Sequence, residues 1–240
     1  MLFKVRNWLL PCIRFRTFCL FLFSMEELFP LVNENGDLIG KATRTLCHSG
    51  SFLLHPVVHL HVFNAAGQLF LQKRSMSKDI QPGMWDTSVG GHVDFEETVS
   101  FAKTDSESTT ASTIASAASL KISAVSPATG TVYGLSAPAP WLRTALEREA
   151  CEELGIVYFE PVFVFRYSYR SAFEYELVHT FLTVYDNPLS VDPVEISEGR
   201  FWDLSEILAN LGKGIFTPNF EGEINKVLEF YLKTTQTLEK

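Results

Sequence analysis

Residues Phe101 to Arg143 are dominated by Ser, Thr and Ala, carry few charges and show no sustained apolar period, yet they sit in the middle of the chain. A structureless run of that length is foreign to a compact domain. It reads as a disordered insertion. No internal repeat is visible, and nothing resembles a linker to an independent second domain. A single fold must therefore close across a stretch that adds nothing to its core.

Apart from that segment the text is that of a globular protein. Of 240 residues, 46% are hydrophobic and 20% charged, which excludes collagen-like, coiled-coil and wholly disordered readings. A chain this long can bury a core without covalent staples. Its cysteines, Cys12, Cys19, Cys47 and Cys151, form no CxxC pair; this points to a reducing, cytoplasmic compartment and away from a zinc ribbon.

The first 24 residues are basic and apolar, with Lys4, Arg6, Arg14 and Arg16 their only charges, so the formal net charge of −8 becomes −12 without them. An acidic body of this kind is a poor binder of nucleic acid. The longest uncharged stretch of the leader, Thr17 to Met25, has nine residues, against the ~20 that a bilayer span requires. The leader reads as an extension ahead of Met25, with targeting or interfacial anchoring as the alternatives. Membrane association is expected only if it is native.

From residue 25 strands follow one another. Phe29 to Gly40 reads as strand, Asn-Gly turn and returning strand, and His55 to Phe63, Asn64 to Gly67 and Gln68 to Lys73 repeat that grammar with period-2 side chains. A polar loop covers Arg74 to Met84. Further strands are expected over Val162–Tyr169, Tyr175–Tyr185 and Gly199–Asp203, and helices over Leu204–Leu211 and Glu221–Lys233, with a tail from residue 234.

Two passages carry chemistry. Gly90-Gly91-His92-Val93-Asp94-Phe95-Glu96-Glu97 sets five residues between Gly91 and Glu97, and such glycines permit close backbone approach to an anionic ligand. Leu146-Glu147-Arg148-Glu149-Ala150-Cys151-Glu152-Glu153-Leu154-Gly155 reads as an acidic helix stopped by glycine. Glu149, Glu152 and Glu153 stand at i+3 and i+4, so three carboxylates share a face, and their repulsion is relieved by a hard divalent cation or by proton uptake. Taken alone, such a helix face would ordinarily be solvated, with Arg148 and Glu152 a surface pair of at most ~1 kcal/mol. Cys151 reads as a packing residue in this helix.

Gly91, Glu97, Arg148, Glu149, Ala150, Glu152, Glu153, Gly155 and Ile156 match, in order, the fixed positions of the Nudix hydrolase signature, and on these residues the chain resembles that superfamily. In the family seven residues separate the glutamate from the arginine; here 50 separate Glu97 from Arg148, an excess of 43 that coincides with the low-complexity segment. Looping out the longer stretch costs about 1.7 kcal/mol by the logarithmic closure law, so folding survives it. The segment is either a tolerated loop or a disturbance of Glu97 and the helix start, and in the second case the expectation is a catalytically inactive Nudix-fold diphosphate binder.

The resemblance implies an α/β/α sandwich around a mixed sheet, a domain over residues 25–233, and Mg²⁺- or Mn²⁺-dependent hydrolysis of a small-molecule diphosphate; many relatives are homodimers. It assigns Glu149, Glu152, Glu153 and Glu97 to metal and Arg148 to orienting the glutamates. Glu149 becomes the candidate general base, with Glu174, Glu176 and Glu198 as competitors. Gly90, Gly91, Arg74 and Lys78 are the candidate substrate contacts, the two cations reading equally well as solvated loop charges.

The run Phe63 to Ser88 is similar to isopentenyl-diphosphate isomerase and its hydrolase cousins, a likeness extending from about residue 29 to 233. His48, His55, His92, Glu174 and Glu176 fall at the places of the isomerases' single-ion site, and Glu174 and Glu176 point to one side of a strand. The isomerases' catalytic cysteine, however, lies two residues before the histidine matching His92, where this chain has Gly90. Glycine relays no proton, so hydrolysis outranks isomerisation. Trp85 is expected to pack its loop on the sheet, and His59 and His61 to share one sheet face as structural residues.

Overall fold

The strand His55 to Phe63 organises the molecule, because its neighbours cover both of its edges and helices cover both of its faces. A computed structural model describes residues 26–100 and 138–238. The leader and most of the low-complexity segment, and with them the expectations about targeting and disorder, lie outside the described residues, as do residues 239 and 240.

An antiparallel hairpin, β1 (Leu28–Val32) and β2 (Leu38–Thr43), opens the described chain and turns at Gly36, whose φ of 85° suits a residue without Cβ. The short α1 (Arg44–Cys47) follows. β3 (Leu54–Phe63) then runs through the centre of a seven-stranded mixed sheet with β4 (Leu69–Arg74), β5 (Trp85–Asp86), β6 (Val89–His92), β7 (Val162–Arg170), β8 (Tyr175–Val184) and β9 (Ile196–Trp202). β3 is parallel to β8 from Leu54↔Tyr175 to Phe63↔Val184. Its other edge is shared: β6 takes Val57 to Leu60, antiparallel, and β4 takes only Phe63. This split carries Gly90 and Gly91 into the middle of the sheet.

Period-2 alternation along β3 feeds two cores. Val58, Leu60 and Val62 pack with Leu142, Ala145, Leu146, Ala150 and Leu154 of α2 (Pro140–Leu154). Val57 and Phe63 face the opposite way, toward Phe220, Ile224, Val227 and Leu228 of α4 (Pro218–Leu238). α3 (Leu204–Asn210) joins the second layer through Ile207. The result is the expected α/β/α sandwich with a mixed sheet.

Three sequence expectations need correction. Residues 140–143 belong to α2 rather than to the insertion: Pro140 opens the helix with its fixed φ, and Leu142 is buried beneath it. β9 begins at Ile196, three residues earlier than expected, because Lys73 and Arg74 of β4 offer it pairing partners. The last helix starts at Pro218 and continues to Leu238, so residues 234–238 extend it instead of forming a tail. No helix among the described residues is long and apolar enough to cross a membrane.

Candidate active site

The acidic helix does not present all its carboxylates to solvent: Glu147 is exposed, Glu149 and Glu152 are partly buried, and Glu153 is buried. The buried stripe of α2 runs through Leu142, Ala145, Leu146, Ala150, Glu153 and Leu154, so the helical period that buries the leucines also carries Glu153 inward. Its C-terminus is closed by Gly155 in the left-handed region, as the sequence predicts. Glu149, Glu152 and Glu153 line a cavity of about 480 Å³ together with Arg74, Lys78, Gly90 and Gly91.

Arg148 ties the two halves of the signature together. Its Nε donates to Glu97 Oε1 at 2.8 Å, one terminal nitrogen to Glu149 Oε1 at 2.8 Å, and the other to the His92 carbonyl at 2.9 Å. Glu97 and Arg148 are 51 positions apart and nevertheless bonded. Glu97 also accepts from the Asp94 backbone N–H at 2.9 Å and stands behind Arg148, outside the cavity lining. In this arrangement it steadies the arginine. Gly91 explains its own identity, since a Cβ there would lie 2.1 Å from the Glu149 carboxyl carbon. The close approach it permits is to the helix. At Gly90 a Cβ would meet only ordinary contacts, Thr87 at 3.5 Å and His59 at 3.6 Å.

Burial dominates the electrostatics of these groups. It pushes the Glu149 carboxyl up to about 8 against the opposing pull of Arg148, with Glu153 and Glu152 adding repulsion. Burial likewise raises Glu153 to about 7, although Gln72 donates to its Oε2 at 2.9 Å and the Gly90 N–H approaches at 3.4 Å. Carboxylates raised this far above their ordinary range favour the protonated form, and a cation bound beside them would favour the ionised one.

A second cluster occupies the same cavity. His48 and His92 bring their Nε2 atoms within 3.1 Å of each other, Glu174 lies 3.6 Å from His48, and Glu176 lies 3.8 Å from His92. His55 turns Nδ1 to the Leu53 carbonyl at 2.9 Å, which leaves its buried Nε2 without a hydrogen-bond partner. The three imidazoles offer ligand atoms within 4.8 Å of one another. Phe29 of the opening hairpin stacks on His92 at 4.4 Å and holds the ring in place. Burial depresses all three histidines, His55 to about 4, which favours the neutral ring that an imidazole ligand requires. An orphaned buried nitrogen, two nitrogens in close approach and two nearby carboxylates are a donor set that fits a divalent cation.

The remaining expected residues divide. Arg74 lines the cavity but donates to Asp86 at 3.1 Å and to the Ile80 carbonyl, and Lys78 reaches the cavity wall in contact with Glu195. Glu198 is half exposed on β9, 3.9 Å from Lys73 and outside the cavity lining, so it is no competitor for the water proton. Trp85 packs edge-on against Trp202 at 5.0 Å, as expected of a structural tryptophan. Two further residues support the cavity: Gln72, buried behind it, holds Glu153, and Asn219 in its wall donates to Glu176 at 3.4 Å. Neither carries a motif; only strand register and the start of α4 bring them in. His59, expected to be structural, lines the cavity as well.

Comparison with known proteins bears on the fold. Two solved structures superpose on most of the chain. A Deinococcus radiodurans protein does so with a TM-score of 0.50 and 21% identity over 80% of this chain and 92% of its own. A NUDIX hydrolase from Alicyclobacillus acidocaldarius does so with a TM-score of 0.51 and 11% identity over 71% and 89%. The fold is that of the Nudix hydrolases. Within the Nudix fold, the sequence is also 24% identical over 207 residues to isopentenyl-diphosphate Delta-isomerase 1 of Photorhabdus laumondii subsp. laumondii, covering 83% of this chain and 93% of that protein. No protein-family model matches the chain.

Proposed function

We propose that the protein is a divalent-metal-dependent hydrolase of a small-molecule organic diphosphate. The observation that carries this reading is the set of three α2 carboxylates, Glu149, Glu152 and Glu153, that line one polar cavity, with burial raising Glu149 and Glu153 above the ordinary carboxylate range. Glu149, Glu152 and Glu153 would hold Mg²⁺ or Mn²⁺. The ion, when bound, neutralises the diphosphate and lowers the pKa of an attacking water. Arg148, fixed by Glu97, aims Glu149; Gln72 aims Glu153. Glu149 is the carboxylate assigned to the water proton, with Glu174 and Glu176 across the cavity as its competitors. Arg74 and Lys78 supply positive charge at the rim for phosphate oxygens.

A second reading, an isomerase-like catalyst, is favoured by the His48, His55, His92, Glu174 and Glu176 cluster. Against it stands Gly90, which offers no thiol where the isomerases have their cysteine. The two readings separate on purified full-length protein with Mg²⁺ and a panel of ADP-ribose, nucleoside diphosphate sugars, dinucleotides and isopentenyl diphosphate. Product release lost in Glu153→Gln is the expected result. Conversion of isopentenyl diphosphate to its dimethylallyl isomer without phosphate release, and no hydrolysis of the panel, would overturn it.

A further inference from the structure

Beneath the cavity, on the face of β3 away from α2, one carboxylate organises four donors. Glu223 of α4 is fully buried and accepts from His59 Nδ1 at 2.9 Å and His61 Nε2 at 3.0 Å on one oxygen. Its other oxygen accepts from Thr180 at 2.9 Å and Tyr167 at 3.3 Å. The two histidines share this anchor but differ in what lies beyond it. His61 is fully buried, and its Nδ1 has no hydrogen-bond partner. His59 is 7% exposed, and that opening is into the cavity, beside the bare α-carbon of Gly90.

We propose that His59, anchored through Nδ1 to Glu223, presents its Nε2–H across Gly90 to an anionic oxygen of the bound diphosphate. This rests on the hydrolase reading above and adds a substrate contact to it. Nε2 has no hydrogen-bond partner among the described residues, and the acids around it are engaged elsewhere. Asp86 accepts from Arg74, Thr217 and the Thr87 backbone, while Glu176 accepts from Asn219 and faces His92. A side chain at position 90 would stand between this ring and the ligand; glycine leaves the path open. The ring's charge agrees with the geometry. Burial acts to lower His59, but Glu223 outweighs it and raises the ring to about 9, so Nε2 carries a proton at neutral pH. A preoriented cationic donor of this kind makes a charge-assisted bond to phosphate.

The probe is methylenediphosphonate, which is not hydrolysed at the bridging carbon, titrated with Mg²⁺ into the full-length protein. His59→Gln is expected to weaken its binding about ten- to a hundredfold, the worth of one charge-assisted hydrogen bond. KM for the hydrolysed substrate should rise in step while kcat changes less. His61→Gln, which touches the same Glu223 oxygen but not the cavity, should leave binding within about twofold of wild type. Should His59→Gln not fold, the side-chain Nε2 resonance of His59 in wild type decides: saturation with the probe should move it and leave that of His61 in place. An unmoved resonance, or wild-type affinity in a folded His59→Gln, overturns the contact while leaving hydrolysis standing. Failure of wild type to bind the probe overturns the hydrolase reading and the contact together.

Discussion

Two sets of buried carboxylates lie on opposite faces of the same sheet and have opposite electrostatics. Glu223, under α4, is pulled well below the carboxylate range: burial acts to raise it, but the charges and hydrogen bonds of His59 and His61 win. Glu149 and Glu153, under α2, are raised to about 8 and 7, because burial, joined at Glu149 by repulsion from Glu153 and Glu152, outweighs Arg148 and Gln72. The fold finishes one site from its own residues and leaves the other short of positive charge. A buried acid completed from within is structural, whereas one left incomplete calls for something from outside.

The difference can be broken from either side. Glu223→Gln removes the charge that His59 is built against, and leaving that imidazolium unpaired should cost about 3–5 kcal/mol in urea unfolding. A variant as stable as wild type would mean that the site is not closed by charge at all. Glu153→Gln should do the reverse, lowering kcat/KM by more than the ~10²-fold typical of losing an outer-shell partner, without loss of stability. Wild-type turnover in this variant would remove α2 from the chemistry.

The pH response sharpens the contrast. Glu149, Glu153 and Glu176 are raised from 4.5 to about 8, 7 and 8, so the metal-free folded state binds protons that the unfolded chain releases. Their contribution to stability therefore falls as pH rises from 4.5 towards about 8. Glu223, being depressed, has the opposite sign: its contribution is present above 4.5 and is lost as pH falls below that. Mg²⁺ or Mn²⁺ should restore stability, by about 2.7 kcal/mol at a free concentration a hundred times Kd. Thermal melts with and without metal should show a larger gain at alkaline than at acidic pH; an equal gain would show that proton release from these acids is not linked to metal binding.

The smallest effects separate the two glycines. Gly91→Ala would push a methyl group into the Glu149 carboxyl at 2.1 Å, and about 1–3 kcal/mol of strain with loss of activity is expected. Gly90→Ala meets only contacts of 3.5 Å and beyond, so its stability should stay within ~0.5 kcal/mol of wild type. Equal costs at both positions would mean that the approach of α2 to β6 is not what selects glycine.

Much of the fold is legible because it rests on local rules. The Asn35-Gly36 turn, the alternation of β3 and the Gly155 stop each follow from a few neighbouring residues. The start of α2 is not: Pro140, Trp141 and Leu142 follow a run of Ser, Thr and Ala whose composition hides them, and only the packing of Leu142 against the sheet marks the helix as begun. For the site, residue types and spacing single out Glu149, Glu152 and Glu153, and family resemblance singles out the histidine cluster. Neither reaches Gln72, Asn219 or the role of His59, since each arrives from an element distant in sequence.

By itself the sequence determined which residues alternate, where turns and helix stops fall, and that three carboxylates share one turn of a helix. These are consequences of short-range geometry. Only the tertiary structure decided that Glu149 and Glu153 line a cavity, that Glu97 meets Arg148 across 51 positions, and that Glu223 is held ionised while burial raises Glu149 and Glu153. The physical reason is that the charge state of a buried acid depends on what the other elements bring against it. That is a property of packing, which no local spacing encodes.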